Sequence, residues 1–97
     1  MNNEIVSNAM EMVKARIGIS TSVRDMYLQE IIRSVVTQLE QEQGLSLKSG
    51  NSYHLMFIVD FSVWRYQNVD ESGAIPRHLQ FRMHNLVITG GGNDVQS

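Results

Sequence analysis

The stretch SYHLMFIVDFSVWRYQN, residues 52–68, decides how this chain folds, and it admits two readings. Alternation would set Leu55, Phe57, Val59, Phe61 and Val63 on one face of a β-strand, and the aromatic residues favour strands too. Length argues the other way. A run of about 16 residues without a turn signal is long for a strand and ordinary for a helix. As a helix it is apolar on more than one side. Tyr53, Phe57, Phe61 and Trp64 form one face; Leu55, Val59 and Tyr66 form another, with Met56 and Val63 filling the gap on one side. Asp60 with Gln67, and His54 with Arg65, make two narrow polar seams. Such a helix carries more apolar surface than a small bundle is expected to hide, so part of it should be covered by another subunit.

The size of the chain sharpens that expectation. Its 97 residues make one domain, and chains of this length bury only roughly 60–65% of their unfolded surface. A hydrophobic content of 42% is too high for intrinsic disorder. Tyr53, Phe57, Phe61, Trp64 and Tyr66 are five of its seven aromatic residues, so the core is expected to form around this one segment. The absence of cysteine excludes a disulfide scaffold and any thiolate metal site. A net charge of −2 gives no overall pull toward nucleic acid or acidic membranes. The longest apolar run, residues 55–64, is broken by Asp60 and is half the roughly 20 residues a membrane span needs. The first ten residues lack the basic flank and apolar run of a signal peptide, so a soluble protein is expected.

Upstream of the deciding stretch, Ile5, Ala9, Met12 and Val13 recur at helical spacing and predict a first helix over residues 4–17, stopped by Gly18. Ser22 with Asp25 three positions on has the form of a capping box. Leu28, Ile31, Ile32, Val35, Val36 and Leu39 share one stripe and predict a second, long helix over residues 23–43, with Gly44 as its left-handed stop. Residues 45–51 read as a loop, and Ser52 as the cap of the third helix. Downstream, residues 70–73 form an acidic loop, and Pro76 suits the first turn of a fourth helix striped by Leu79, Met83 and Leu86. The class is therefore all-α: about four helices over residues 1–88, then a flexible tail over residues 89–97 that includes Gly90, Gly91 and Gly92.

Chemistry is sparse. His54, His78 and His84 do not stand at the spacing of a helical metal pair and read as solvent-facing or helix-flank residues. Asp60 in its apolar run could be an acid of raised pKa, yet no second carboxylate or nucleophile accompanies it; pairing with Arg65 or Arg82 is the simpler expectation. The glycine run leads into no helix and carries no Lys-Ser/Thr, so it is not a phosphate loop. The first two helices have helix-turn-helix spacing, which keeps a small DNA-binding or regulatory module as the alternative function. The second helix offers only Arg24 and Arg33 beside Asp25 and Glu30, against the several cations that phosphate neutralisation needs. Arg77 and Arg82 with His78 and His84 concentrate positive charge on the last helix, as a solvated flank or a face for an acidic partner or DNA backbone. Trp64, Arg65 and Tyr66 are types found at interface hot spots and equally in cores. No catalytic residue, cofactor or metal is expected. The candidate interface set is Tyr53, Phe57, Trp64, Arg65, Tyr66, Arg77, Arg82 and the three glycines.

Taken in order, these parts resemble a known family. A short helix ends in Ile17-Gly18-Ile19, and a long amphipathic helix is closed by Gly44. An apolar helix ends in Trp64-Arg65-Tyr66, an acidic loop follows, and a last helix opens at Ile75-Pro76-Arg77-His78-Leu79. Over roughly residues 4–88 the chain is similar to the small head–tail connector proteins of tailed bacteriophages, also called adaptor or head-completion proteins. The resemblance implies a non-enzymatic helical bundle of the virion, assembled in the host bacterial cytoplasm. There it would form a ring, usually a dodecamer, beneath the portal vertex. Its implied partners are other copies of itself, the portal protein and a tail or stopper protein, with DNA passing through the channel without sequence-specific binding.

Overall fold

The structure, a computed structural model, describes residues 3–48, 50–68 and 75–89. Among them are four α-helices and no strand: α1 (Asn3–Ile17), α2 (Asp25–Thr37), α3 (Ser52–Gln67) and α4 (Arg77–Thr89). The all-α class expected from the sequence is what is found. The acidic loop at residues 70–73 and the glycine tail at residues 90–97 lie outside the described residues.

In α1, Ile5, Ala9 and Val13 stack on one face at four-residue steps, joined by Val6, and all four are buried. Glu4 in its first turn and Lys14 and Arg16 in its last complement the helix dipole. Gly18, at φ +79°, turns the chain away. The amides of Gly18 and Ile19 both donate to the Lys14 carbonyl, at 2.9 and 3.0 Å, which satisfies the helix end.

The capping box expected of Ser22 and Asp25 does not form. Arg24 occupies the cap position without a side-chain bond to the helix end, and Ser22 contributes its carbonyl, which accepts from the Asp25 amide at 3.2 Å. The turn instead carries Asp25 to the end of α1, where its carboxylate takes a 2.7 Å hydrogen bond from Lys14. The long rod predicted over residues 23–43 is found over residues 25–42, with its last turn widened. It is α-helical only to Thr37 and finishes in a widened π-helical turn, Gln38–Glu42. Within that turn the Gln43 amide reaches five residues back to Gln38, and the Leu45 amide reaches six back to Leu39. Gly44, at φ +72°, makes the reversal, and Leu39 and Leu45 are both buried beneath it.

The third helix is the centre of the bundle, packed against α1, α2 and α4. Its cap is Asn51, whose side-chain oxygen accepts from the Tyr53 and His54 amides at 2.8 and 3.1 Å; Ser52 is the first helical residue rather than the cap. Phe57, Ile58, Val59, Phe61, Ser62 and Val63 are all buried. This corrects the expectation that α3 holds surplus apolar surface for another subunit. An element apolar on two sides is also what a central helix requires, and here the chain's own helices supply the cover; of the large hydrophobic side chains on α3, only Tyr53 and Met56 stay exposed.

The last helix, α4, packs on α3 chiefly through Leu79, with Met83, Leu86 and Val87 half-buried beside it. Pro76 sits at its mouth, where the missing amide costs nothing, and its carbonyl accepts from Leu79 and Gln80. No helix of the described residues is long and apolar enough to cross a membrane.

Candidate functional site

Where α1, α3 and α4 meet, Asp60 acts as an ionic clasp. Arg16 donates to its Oδ1 and Arg82 to its Oδ2, each at 2.6 Å. Burial alone would raise the Asp60 carboxyl, but the hydrogen bonds and charges of the two guanidinium groups outweigh it and hold the group below the ordinary carboxylate range. Asp60 is thus a fixed anion rather than a proton donor. Two cations on one anion leave the clasp one positive charge in excess.

The expected alternative partner, Arg65, goes elsewhere. It donates to Ser34 and to Gln38 at the start of the π turn, both at 2.9 Å, and lies 4.7 Å from the centre of the Phe61 ring. Burial lowers its pKa, with the Glu42 charge opposing, and the guanidinium remains charged at neutral pH.

His54 is not the solvent-facing residue expected. It is 3% exposed, and its Nδ1 accepts from the Lys48 amide at 3.2 Å. Burial first, then the Lys48 charge, depresses its pKa, so it sits neutral with its proton on Nε2. It lines a cleft of about 430 Å³ between the start of α3 and the end of α4, together with Asn51, Tyr53, Phe57, Arg82, Asn85, Leu86 and Thr89. The sequence signal that could have found His54 is Asn51: a cap there directs position 54 inward beside Phe57 and Ile58.

The other candidates scatter. Phe57, 1% exposed, belongs to the core and is corrected as an interface residue. Trp64 is half-buried against the core, its ring 6.3 Å from that of Phe61. Tyr66 is half-buried, 6.0 Å ring to ring from Tyr27, and accepts a hydrogen bond from Arg24. Tyr53 and Arg77 are exposed, Arg82 is held by Asp60, and Gly90, Gly91 and Gly92 lie outside the described residues. Two apolar surfaces were missed. Val23, Met26 and Tyr27 are exposed at the start of α2, and Phe81 and Ile88 on α4. Met26 and Phe81 stand two positions from Leu28 and Leu79, across their helices from the core stripe, which is the signal the sequence held.

The cations of the first two helices are largely engaged within the chain: Lys14 with Asp25, Arg16 with Asp60, Arg24 with Tyr66. Among the described residues no three histidine, aspartate or glutamate side chains come together as a metal site. In comparisons with known proteins, the chain matches no family model, no curated protein and no solved structure.

Proposed function

We propose that this chain is a structural assembly protein that works by packing against copies of itself and neighbouring proteins, as a ring adaptor between the portal and tail of a phage particle. The observation that carries the reading is the pair of separate exposed apolar surfaces. Val23, at 86% exposure, and Met26, at 78%, mark one; Phe81, at 61%, marks the other. A small monomer gains nothing by leaving such side chains in water. A ring closed by head-to-tail contacts needs two different patches on each subunit, and these two lie on different helices. Charge is consistent with that contact. The sequence of α4 contains Arg77, Arg82, His78 and His84 and no acid, whereas Asp25 and Glu30 stand beside the α2 patch. The adaptor reading rests further on the resemblance of the helix order and its anchor residues to the connector proteins.

The test is to express the chain together with the genes that flank its own and purify it through a tag. Recovery of ring particles with portal or tail proteins supports the proposal. Recovery of a lone monomer, or of a metabolic enzyme in complex, overturns it.

A further inference from the structure

The two ends of the α2 rod carry surfaces that complement each other. At the far end, the widened turn Gln38–Glu42 and α4 border a cleft of about 560 Å³. Ile75, Met83 and Val87 are half-buried along it, and Phe81 projects beside them at 61% exposure. Widened turns of this kind are frequent at functional sites. Among the described residues, no carboxylate, lysine or arginine lines the cleft. Its rim is made of amides. Gln38 uses its oxygen on Arg65, and Gln80 uses its nitrogen on the Ile75 carbonyl, which leaves a donor and an acceptor for an incoming group. At the near end, the turn between α1 and α2 borders a cleft of similar size, about 550 Å³, lined by Ile17, Ile19 and Tyr66. Val23 projects beside it at 86% exposure. Residues 17–23 carry no charge, and the hydroxyl residues Ser20, Thr21 and Ser22 are exposed.

We infer that the α1–α2 turn of one copy seats on the α4 cleft of a second copy, Val23 entering beside Met83 and Val87 while Phe81 enters in return beside Ile17 and Ile19. This rests on the assembly reading and specifies its contact. The two surfaces cannot meet within one chain. The 13 residues of α2 and the 5 of the widened turn run on as one rod, about 27 Å long at roughly 1.5 Å per residue, and the surfaces stand at its opposite ends. A second copy supplies both complements at once, which is the head-to-tail arrangement of an assembly. Chemistry selects the same pairing. An amide rim over an apolar floor suits an uncharged turn with hydroxyl groups, whereas a charged segment would lose its hydration there without a partner. The one charged residue at the near-end cleft, Arg24, is held by Tyr66, and a guanidinium is a favourable neighbour for an entering phenyl ring.

The chain has no cysteine, so single substitutions report the contact without background. Two differently tagged full-length chains, one Val23→Cys and the other Gln80→Cys, both at exposed positions, are co-expressed with the flanking genes, purified and oxidised. A disulfide requires Cα atoms within about 7 Å, so it forms only where the two surfaces meet. The expected result is a disulfide joining positions 23 and 80 of different chains, identified by mass spectrometry, in several-fold excess over links between like positions. Particles that assemble without that link, or with like-position links in excess, overturn the inference and leave the assembly reading standing. A lone monomer without the link overturns both. The 23–80 link in a species no larger than a dimer upholds the contact and removes the ring.

Discussion

Arg82 on α4 reaches Asp60 on α3 at 2.6 Å, so the most lightly packed helix of the bundle is tied by charge to its most deeply packed one. Arg16 closes the clasp from α1. The three side chains remain 23–48% exposed, so solvent screens the pair and its worth is modest. Asp60→Asn should cost about 1–2 kcal/mol over the two bonds. It should raise amide hydrogen exchange in α4 more than in α2. The folded carboxyl lies below its ordinary value of 3.8, so its contribution is full above that value and disappears as pH falls through the folded pKa. Urea midpoints measured against pH should show the wild-type chain and Asp60→Asn converging in acid and differing at neutrality.

His54 sets a second pH dependence, nearer neutrality. Its folded pKa is below the ordinary 6.5, so the unfolded chain takes up the proton first. The stability it contributes is full above about pH 6.5 and declines as pH falls toward the folded value, by at most about 1.4 kcal/mol per pH unit. Protonation at Nδ1 would also remove the acceptor of the Lys48 amide and release the loop pinned by Leu45 and Leu47. Replacing His54 by Leu should flatten the decline below about pH 6.5 and cost about 1 kcal/mol at neutral pH for the lost acceptor, a difference that shrinks as pH falls.

Much of the fold was legible because its signals are local. Gly18 and Gly44 mark helix ends because a left-handed residue depends on its own backbone, and both have positive φ. An aspartate within an apolar run needs a cation, and Arg82 was one of two at hand. What depended on neighbours was not legible. Phe57 and Val59 are apolar whether a helix or another subunit covers them, and only the packing of α1, α2 and α4 around α3 decides it. The same ignorance put His54 on a solvent seam. Nothing local, neither proline nor glycine, marks the widened turn at Gln38–Glu42.

The two kinds of exposed and buried aromatic residue should separate cleanly. Phe61 is fully buried and packs edge-on to Phe57, 5.7 Å between ring centres. Phe61→Ala should cost about 3–5 kcal/mol, a large share of the roughly 5–15 kcal/mol that holds a domain folded. Phe81→Ser touches an exposed position and should leave thermal unfolding within about 0.5 kcal/mol of wild type. On the proposed function it should still weaken assembly, so paired melting and co-purification measurements distinguish core from contact.

At Gly44 the backbone itself can be tested. A methyl group placed there meets nothing within 4 Å, so Gly44→Ala introduces no clash and its whole effect comes from φ +72°. That conformation costs an L-residue about 1–2 kcal/mol. For a chain of this size the loss should lower the melting temperature by roughly 4–8 °C per kcal/mol. Gly44→Asn should lose less, because asparagine tolerates the left-handed region better than alanine. Equal losses for the two substitutions would locate the cost in packing instead.

The start of α3 offers the sharpest choice between adjacent residues. Asn51 accepts two amide bonds and Ser52 none, so the cap is worth what Asn51 supplies. Asn51→Ala should cost about 1 kcal/mol and Ser52→Ala only a few tenths. The loss at Asn51 should extend beyond the cap, because the His54 amide is one of its two donors and the same residue's imidazole holds the Lys48 amide. Hydrogen exchange at Lys48 should therefore rise in Asn51→Ala and stay unchanged in Ser52→Ala. If Ser52→Ala gave the larger loss, α3 would begin one residue later than it does here, and position 54 would turn out of the cleft.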